Sequence, residues 1–162
     1  MRVRNYAISS AKRIFVLKPF RVYLAGKMGG RMGAEVLAER AIAVELCHGA
    51  DIVPIDPAAN EHVKADEIID LKMDYVTMKN FVAKDEYAIR TCGALLILTG
   101  DSPSEGTGLE FGLALELGIP VVMVAPRRVK GELMGFWSIK ASAIFSTVEE
   151  AVDFIAENYA LR

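Results

Sequence analysis

The sequence predicts an α/β domain built on a doubly wound, five-stranded parallel sheet of Rossmann or flavodoxin type, with helices on both faces. Short apolar runs alternate along the chain with amphipathic stretches, which is typical of successive strand–helix–strand units. The runs are apolar throughout, as expected for strands that are buried on both faces. Sheets of this kind bind ligands beyond the C-terminal ends of their strands, where the strand order reverses.

The apolar runs mark five strands, at residues 20–25, 51–55, 94–99, 120–125 and 143–145. Amphipathic patterns predict helices at residues 34–48, 80–92 and about 108–117, and a last helix after the fifth strand. Residues 60–79 are polar and helical in tendency. The last helix begins with a capping box, because Thr147 is followed three residues later by Glu150.

The length predicts one domain. The chain has 162 residues, of which 52% are hydrophobic and 25% charged, a globular composition. We expect a basic N-terminal extension at residues 1–19 and a single domain at residues 20–162. A membrane-spanning helix needs about 20 apolar residues in a row, and no run approaches that length. The net charge of -2 argues against a nucleic-acid partner.

The charge is unevenly distributed. The first 34 residues hold eight of the 19 Lys and Arg residues and none of the 21 Asp and Glu residues. Such a start fits a transit peptide. It also fits an ordinary N-terminal segment that serves as a surface arm, an edge strand or a subunit contact. Part of the positive charge could instead belong to a local anion site. The two cysteines, Cys47 and Cys92, form neither a disulfide framework nor a zinc-binding spacing. A reducing, cytoplasmic compartment is therefore expected.

A glycine loop (residues 26–33) follows the first strand and precedes a helix. The backbone N–H groups of Gly26, Gly29 and Gly30 could approach an anion, and the helix N-terminus favours negative charge. Lys27 and Arg31 add positive charge to the same loop. The alternative is a tight turn that needs glycine for its backbone angles.

Two carboxyl groups are candidates for chemistry. Glu110 falls in the first turn of a predicted helix after the third strand, where the helix dipole favours an ionised carboxylate that can act as a nucleophile. It also fits a capping box with Thr107, in which it would only accept from a backbone N–H. Asp85 is either a solvated helical charge or, near Glu110, a carboxyl with a raised pKa that donates a proton.

An ordered set of motifs carries a resemblance to a known family. The set comprises YLAG at residues 23–26, Asp85 ahead of an apolar strand, GTGLEFGLA at residues 106–114 and GIPVV at residues 118–122. In this order and spacing it resembles the nucleoside 2-deoxyribosyltransferase superfamily, which includes 2'-deoxynucleoside 5'-monophosphate N-glycosidases. The resemblance covers roughly residues 20–126.

The resemblance implies an enzyme that cleaves the N-glycosidic bond of 2'-deoxyribonucleosides or their 5'-monophosphates, by hydrolysis or base exchange. Glu110 matches the nucleophile that forms a covalent deoxyribosyl intermediate. Asp85 matches the aspartate that handles the proton of the departing base, and Tyr23 the tyrosine that orients the nucleophile. Neither a cofactor nor a metal ion is implied. Gly106 and Gly108 belong to the matched motif, and Asp56, at the end of the second strand, is expected to reach the base.

Ser104 bears on the substrate's 5' end. Six residues before the nucleophile, the resemblance associates an aspartate with free nucleosides and a serine with 5'-monophosphates. Ser104 and the cations Lys27 and Arg31 favour the monophosphate. Two observations oppose it: Met28 stands where the nucleotide hydrolases have an arginine, and acidic residues flank Ser104.

Two other functions stay open. A ribonucleotide phosphoribohydrolase of the cytokinin-activating type also carries a GT-x-x-E turn, although its usual PGG-x-GT-x-x-E form is not met here. A nucleotide-binding module without turnover is the second alternative. The resemblance also implies a homodimer or a larger homo-oligomer. The expected ligand is a small-molecule nucleoside or nucleotide.

Overall fold

The computed structural model describes residues 18–60, 63–98, 104–125 and 136–160. The strands are β1 (Arg21–Gly26), β2 (Val53–Ile55), β3 (Ala94–Leu98), β4 (Val121–Val124) and β5 (Ala143–Phe145). The helices are α1 (Gly33–Gly49), α2 (Tyr75–Arg90), α3 (Glu105–Glu116), α4 (Phe136–Lys140) and α5 (Val148–Ile155). A short 3-10 turn (Pro57–Asn60) follows β2, and a π turn (Ala156–Ala160) follows α5.

The five strands form one sheet in the order β2-β1-β3-β4-β5, and every neighbouring pair is parallel. The predicted α/β fold is therefore confirmed. The order reverses between β1 and β3, which lie side by side with Gly26 opposite Leu98 at their C-terminal ends. The loops after these two strands thus flank the crevice in which open parallel sheets bind ligands.

Helices cover both faces of the sheet, and the alternation along β1 shows how the faces divide. Val22 and Leu24 point into a core shared with α1 and α5. Tyr23 and Ala25 point into the opposite core, which residues of α2 and α3 complete. The side chain of Tyr23 is therefore directed by the period of two along the strand towards the face that carries α2 and α3.

The prediction of helical structure across residues 60–79 is wrong for residues 63–74, which we call the strap. The strap contains no helix and forms an isolated antiparallel bridge between Ile68 and Met32 of the glycine loop. Helix α2 begins only after Asp74, whose carboxylate accepts from the N–H groups of Val76 and Thr77. From there the helix runs unbroken to Arg90, so the predicted second helix is longer than expected at its N-terminus.

Two predicted helix caps have different outcomes. Helix α3 begins at Glu105, because the Ser104 hydroxyl accepts from the N–H of Thr107 and caps the helix. The predicted start near Gly108 is therefore one turn late, and Thr107 does not serve as the N-cap. The capping box of Thr147 and Glu150 at the start of α5 is confirmed, with both reciprocal hydrogen bonds present.

Of the predicted basic extension, residues 1–19, the structure describes only Lys18 and Pro19, so the extension stays a prediction. Among the described helices, none is long and apolar enough to cross a membrane.

Candidate active site

Strand β1 and helix α3 bring Tyr23 and Glu110 together, although 87 positions separate them in the sequence. The Tyr23 hydroxyl donates a hydrogen bond of 2.8 Å to Oε1 of Glu110. Tyr23 is 1% exposed. Burial and the adjacent carboxylates of Glu110 and Asp85 raise its pKa far above the usual value. The phenol therefore stays protonated and holds the Glu110 carboxylate in one orientation.

Asp85, on α2, completes a cluster around the same hydroxyl. Burial raises the pKa of the Asp85 carboxyl above its usual value. Hydrogen bonding to Tyr23 and the positive charges of Lys84 and Arg40 act in the opposite direction, but they do not overcome the burial. Two carboxyl groups thus meet one phenol, and the environment of Asp85 favours its neutral, proton-donating form.

Asp85 and Glu110 both line a cavity of about 860 Å³ above the sheet edge. Large apolar side chains from the strap, α2 and α3 form much of its wall: Leu71, Met73, Met78, Phe81, Val82 and Leu113. A cavity of this volume, largely apolar with a few polar groups converging in it, suits a small organic ligand.

The charged part of the cavity wall is mostly acidic. It carries five carboxyl groups, which are Asp85, Glu86, Glu105, Glu110 and Glu116. The one basic side chain among the described lining residues is Arg40. Arg40 is itself paired, since its Nη1 lies 2.6 Å from Oδ1 of Asp56.

The sequence analysis missed Arg40. The buried positions of α1 are Gly33, Val36, Arg40, Ala43 and Cys47, a spacing of three and four residues that marks one helical face. An arginine within an otherwise apolar stripe was the signal that could have found it. Charged residues are almost never buried unless they are paired.

Main-chain hydrogen bonds with the strap occupy one of the three glycine amides that were expected to meet an anion, that of Gly30, and the first amides of α1. The N–H groups of Gly30, Gly33 and Ala34 donate to the carbonyls of Ile69, Glu67 and Ala65, at 2.9 Å each. Helix α1 has no side-chain cap, so these strap carbonyls satisfy its first amides in place of one. The N-terminus of α1 is therefore closed to an anionic ligand.

The structure divides the predicted binding residues into two groups. The first group lines the cavity and consists of Gly26, Gly29, Ser104, Gly106 and Gly108. The second group, Lys27, Gly30, Arg31 and Asp56, does not belong to the described cavity wall.

The contacts of the second group explain its position. The Arg31 guanidinium pairs with Oε2 of Glu39 at 2.7 Å, on the surface of α1. The Asp56 carboxylate pairs with Arg40 and accepts from the N–H of Ala58, so it is held at the end of β2. The expectation that Asp56 reaches the base has no support in this geometry.

Because α3 begins at Glu105, Glu110 lies in the second turn of the helix and not in the first turn, as the sequence predicted. This N-terminal half of α3 packs against helix α4. The ring of Trp137 stacks on Phe111 with a centroid distance of 4.8 Å. A Cβ atom added to Gly108 would lie 3.4 Å from the same indole ring. Within the parts of the chain that are described, no group of three or more His, Cys, Asp or Glu side chains is arranged to hold a metal ion.

This fold, with a tyrosine-held carboxylate beside a second, protonatable carboxyl, has the components of an N-glycosyl-transferring enzyme. The sequence model of the nucleoside 2-deoxyribosyltransferase family matches residues 22–137. The chain belongs to this family and is an enzyme of the glycosyl-transfer class that acts on N-glycosidic bonds. No curated protein matches the chain in sequence.

Solved structures share the fold. A 2-deoxyribosyltransferase from Bacillus psychrosaccharolyticus superposes with a TM-score of 0.63 at 20% identity, over 87% of this chain and 93% of the other. The 2-deoxyribosyltransferase of Leishmania mexicana gives a TM-score of 0.57 at 21% identity, over 86% and 99%. A CMP N-glycosidase of Clostridium botulinum gives 0.52 at 15% identity, over 83% and 97%. At these identities the likeness shows the fold alone.

Proposed function

We propose that this enzyme cleaves the N-glycosidic bond of 2'-deoxyribonucleosides through a covalent deoxyribosyl intermediate on Glu110. The observation that supports this most strongly is the hydrogen bond from Tyr23 to Glu110 at the cavity wall. It orients a carboxylate beside Asp85, whose raised pKa suits a proton donor. Enzymes that carry out double displacement at an anomeric carbon usually use two carboxyl groups in different environments.

In the first step, a carboxylate oxygen of Glu110 forms a bond to C1' of the sugar while the bond from C1' to the base nitrogen breaks. The electron pair of that bond leaves with the base, and the Asp85 proton neutralises it. In the second step, water or an acceptor base attacks C1' and releases Glu110 as a carboxylate. Asp85, now ionised, takes the proton of the incoming nucleophile. The configuration at C1' is retained after the two displacements.

The charge of the cavity favours an uncharged nucleoside over its 5'-monophosphate, whereas the sequence pattern favoured the monophosphate. Arg31 is paired with Glu39, the α1 amides are used by the strap, and five carboxyl groups line the wall. A phosphate would meet mainly negative charge there, at a cost in binding. Ser104 remains a neutral hydrogen-bonding group at the start of α3 that can contact a 5'-hydroxyl.

We also propose that the chain assembles at least as a homodimer, as its family resemblance implies. Helix α2 supports this, because only Ile89 of its 16 residues is buried. Two of its aromatic side chains are largely exposed, Tyr75 at 80% and Tyr87 at 73%. Aromatic side chains are enriched at protein–protein interfaces relative to the rest of the surface. Sedimentation velocity that shows only monomer would contradict this proposal.

The test of function is incubation with the common 2'-deoxynucleosides, their 5'-monophosphates and the corresponding ribonucleotides, with and without an acceptor base. Chromatography follows the free base and any exchanged nucleoside. We expect base release or exchange from deoxynucleosides, lost in Glu110→Gln and retained in Glu149→Gln, an exposed glutamate on α5. Intact-protein mass spectrometry of acid-quenched reactions should show a deoxyribosyl adduct that Glu110→Gln lacks.

Each other result points to a different function. Cleavage of ribonucleotides but not of their deoxy analogues would favour a phosphoribohydrolase. Tight nucleotide binding without any product would favour a binding module. Base release that is unchanged in Glu110→Gln would exclude the proposed nucleophile.

A further inference from the structure

Arg40 is a buried cation beneath the candidate site. Its side chain is 4% exposed. Its Nη1 donates to the carbonyl of Leu24 at 3.0 Å and to Oδ1 of Asp56 at 2.6 Å, and its Nη2 lies 3.3 Å from the carbonyl of Gly26. One guanidinium therefore binds two carbonyls at the C-terminal end of β1 and a carboxylate at the end of β2.

Stability alone gives a weak reason for such a pair. Removing two charges from water is costly, and well-packed apolar residues can often replace a buried ion pair without loss. The neighbouring positions on the same face of α1 show the apolar alternative, since Val36 and Ala43 are buried there. The location of Arg40 points to a different reason: it lines the cavity together with Asp85.

We propose that Arg40 is a positioning residue of this site: it fixes the C-terminal half of β1, which directly follows Tyr23, and supplies positive charge close to Asp85. The inference rests on the proposed function, in which Asp85 donates a proton to the leaving base. The planar fork of the guanidinium suits this task, because it can hold several acceptors at once in a fixed geometry.

The surroundings of Asp85 set the direction of the charge effect. The groups that act on it are Tyr23 from β1, Arg40 from α1 and Lys84 beside it on α2. The cavity wall that it shares also carries Glu86 of α2 and Glu105, Glu110 and Glu116 of α3. Arg40 lowers the pKa of Asp85 and so limits the rise that burial causes. Asp56 partly cancels that charge, because it is paired with the same guanidinium.

The two members of the pair therefore act on Asp85 with opposite sign. Arg40→Met removes a positive charge and leaves the Asp56 carboxylate, so it should raise the pKa of Asp85. Asp56→Asn removes a negative charge and leaves the guanidinium, so it should lower it. Arg40→Lys keeps the charge and should leave the pKa near that of the unmodified enzyme.

The test is a pH titration of the full-length protein by NMR, with carbon-13 in the aspartate carboxyl groups and Asp85→Asn as the assignment control. We expect the Asp85 resonance to titrate at higher pH in Arg40→Met and at lower pH in Asp56→Asn. If the Asp85 resonance titrates at the same pH in both variants as in the unmodified protein, or shifts in the same direction in both, the electrostatic part of the proposal is wrong. If Arg40→Met does not fold, the direction of Asp56→Asn decides the matter alone.

Activity tests the geometric part separately. Arg40→Lys lacks the planar fork that fixes the Leu24 and Gly26 carbonyls and Asp56 relative to one another, so kcat should fall about 10- to 100-fold with little change in its pH profile. An Arg40→Lys variant with full kcat would overturn the positioning role. The NMR titration needs no substrate, so it can support the role of Arg40 even when no nucleoside is turned over. A failure of the proposed function can therefore be told apart from a failure of the Arg40 proposal.

Discussion

The Tyr23 hydroxyl lies 2.8 Å from Oε1 of Glu110, which joins the inner strand β1 to the second turn of α3. One hydrogen bond thus connects the sheet to the helix that carries the proposed nucleophile. Its donor is buried and stays protonated. The donor of this hydrogen bond is therefore not lost by deprotonation of the phenol as the pH rises.

Tyr23→Phe should lower kcat about 10- to 100-fold, because a hydrogen bond to a charged group contributes about 1.5–3 kcal/mol. The measurement is the initial rate of base release at saturating deoxynucleoside. Tyr159→Phe, at a partly buried position of the π turn after α5, is the matched control and should keep full activity. A fully active Tyr23→Phe variant would show that Glu110 is oriented by other contacts.

Asp85→Asn should lower the rate of base release about 100- to 10,000-fold, the usual contribution of a general acid. The loss should be smaller for substrates whose base is already a good leaving group, because these need less protonation. Steady-state rates across a series of bases with different leaving-group acidity measure this. An equal loss for all bases would argue against proton donation by Asp85.

The same variant should be more stable than the unmodified protein at neutral pH. Burial raises the folded-state pKa of Asp85, so ionisation weakens the fold as the pH rises above the unfolded value. Asparagine resembles the protonated form and avoids that cost. The difference in Tm should be negligible near pH 3 and grow as the pH increases. The control is Asp66→Asn, at an exposed strap position, and its Tm should equal that of the unmodified protein at every pH.

The variant Ser104→Asp should prefer 2'-deoxynucleosides to their 5'-monophosphates more strongly than the unmodified enzyme does. Aspartate also caps helices, so α3 should still form, but the variant adds negative charge to the cavity wall. If the 5' end of the substrate lies at Ser104, the ratio of kcat/KM for a deoxynucleoside to that for its monophosphate should rise at least about tenfold. Thr147→Asp, at the cap of α5, should leave the ratio unchanged. An unchanged ratio in Ser104→Asp would place the 5' end elsewhere.

Gly26→Ala should destabilise the fold by about 2 kcal/mol or more. The residue has φ of +153°, and a Cβ there would lie 2.3 Å from the carbonyl oxygen of Leu98 on the neighbouring strand. Gly49→Ala, at the end of α1 with open space around its Cβ position, is the control and should be nearly neutral. Urea denaturation measures both. A stable Gly26→Ala protein would mean that β1 and β3 can separate there at little cost.

The sequence predicted the elements whose signal is local. Continuous apolar runs such as residues 94–98 identify central strands without any tertiary information. Thr147 and Glu150 form their capping box within one turn, so the sequence spacing sufficed. The proximity of Tyr23, Asp85 and Glu110 was foreseen only through the family resemblance, because no local pattern joins residues so far apart.

Features that depend on distant partners were missed. Leu71 and Met73 line a cavity that local patterning cannot reveal, and the strap owes its shape to hydrogen bonds with the glycine loop. The positive charge of Arg31 was assigned to the ligand, but Glu39 on α1 takes it up. Arg40 escaped notice because a single arginine on a helix is ordinarily a surface residue.

The pairing of the strap with the glycine loop has a consequence for protein engineering. Each segment supplies main-chain partners to the other, through Gly30, Gly33, Ala34 and Ile69. If either segment is replaced alone by one of a different length or backbone path, amides or carbonyls of its counterpart lose their partners. A chimera designed to exchange substrate preference between relatives of this enzyme should therefore treat residues 26–34 and 63–74 as one cassette.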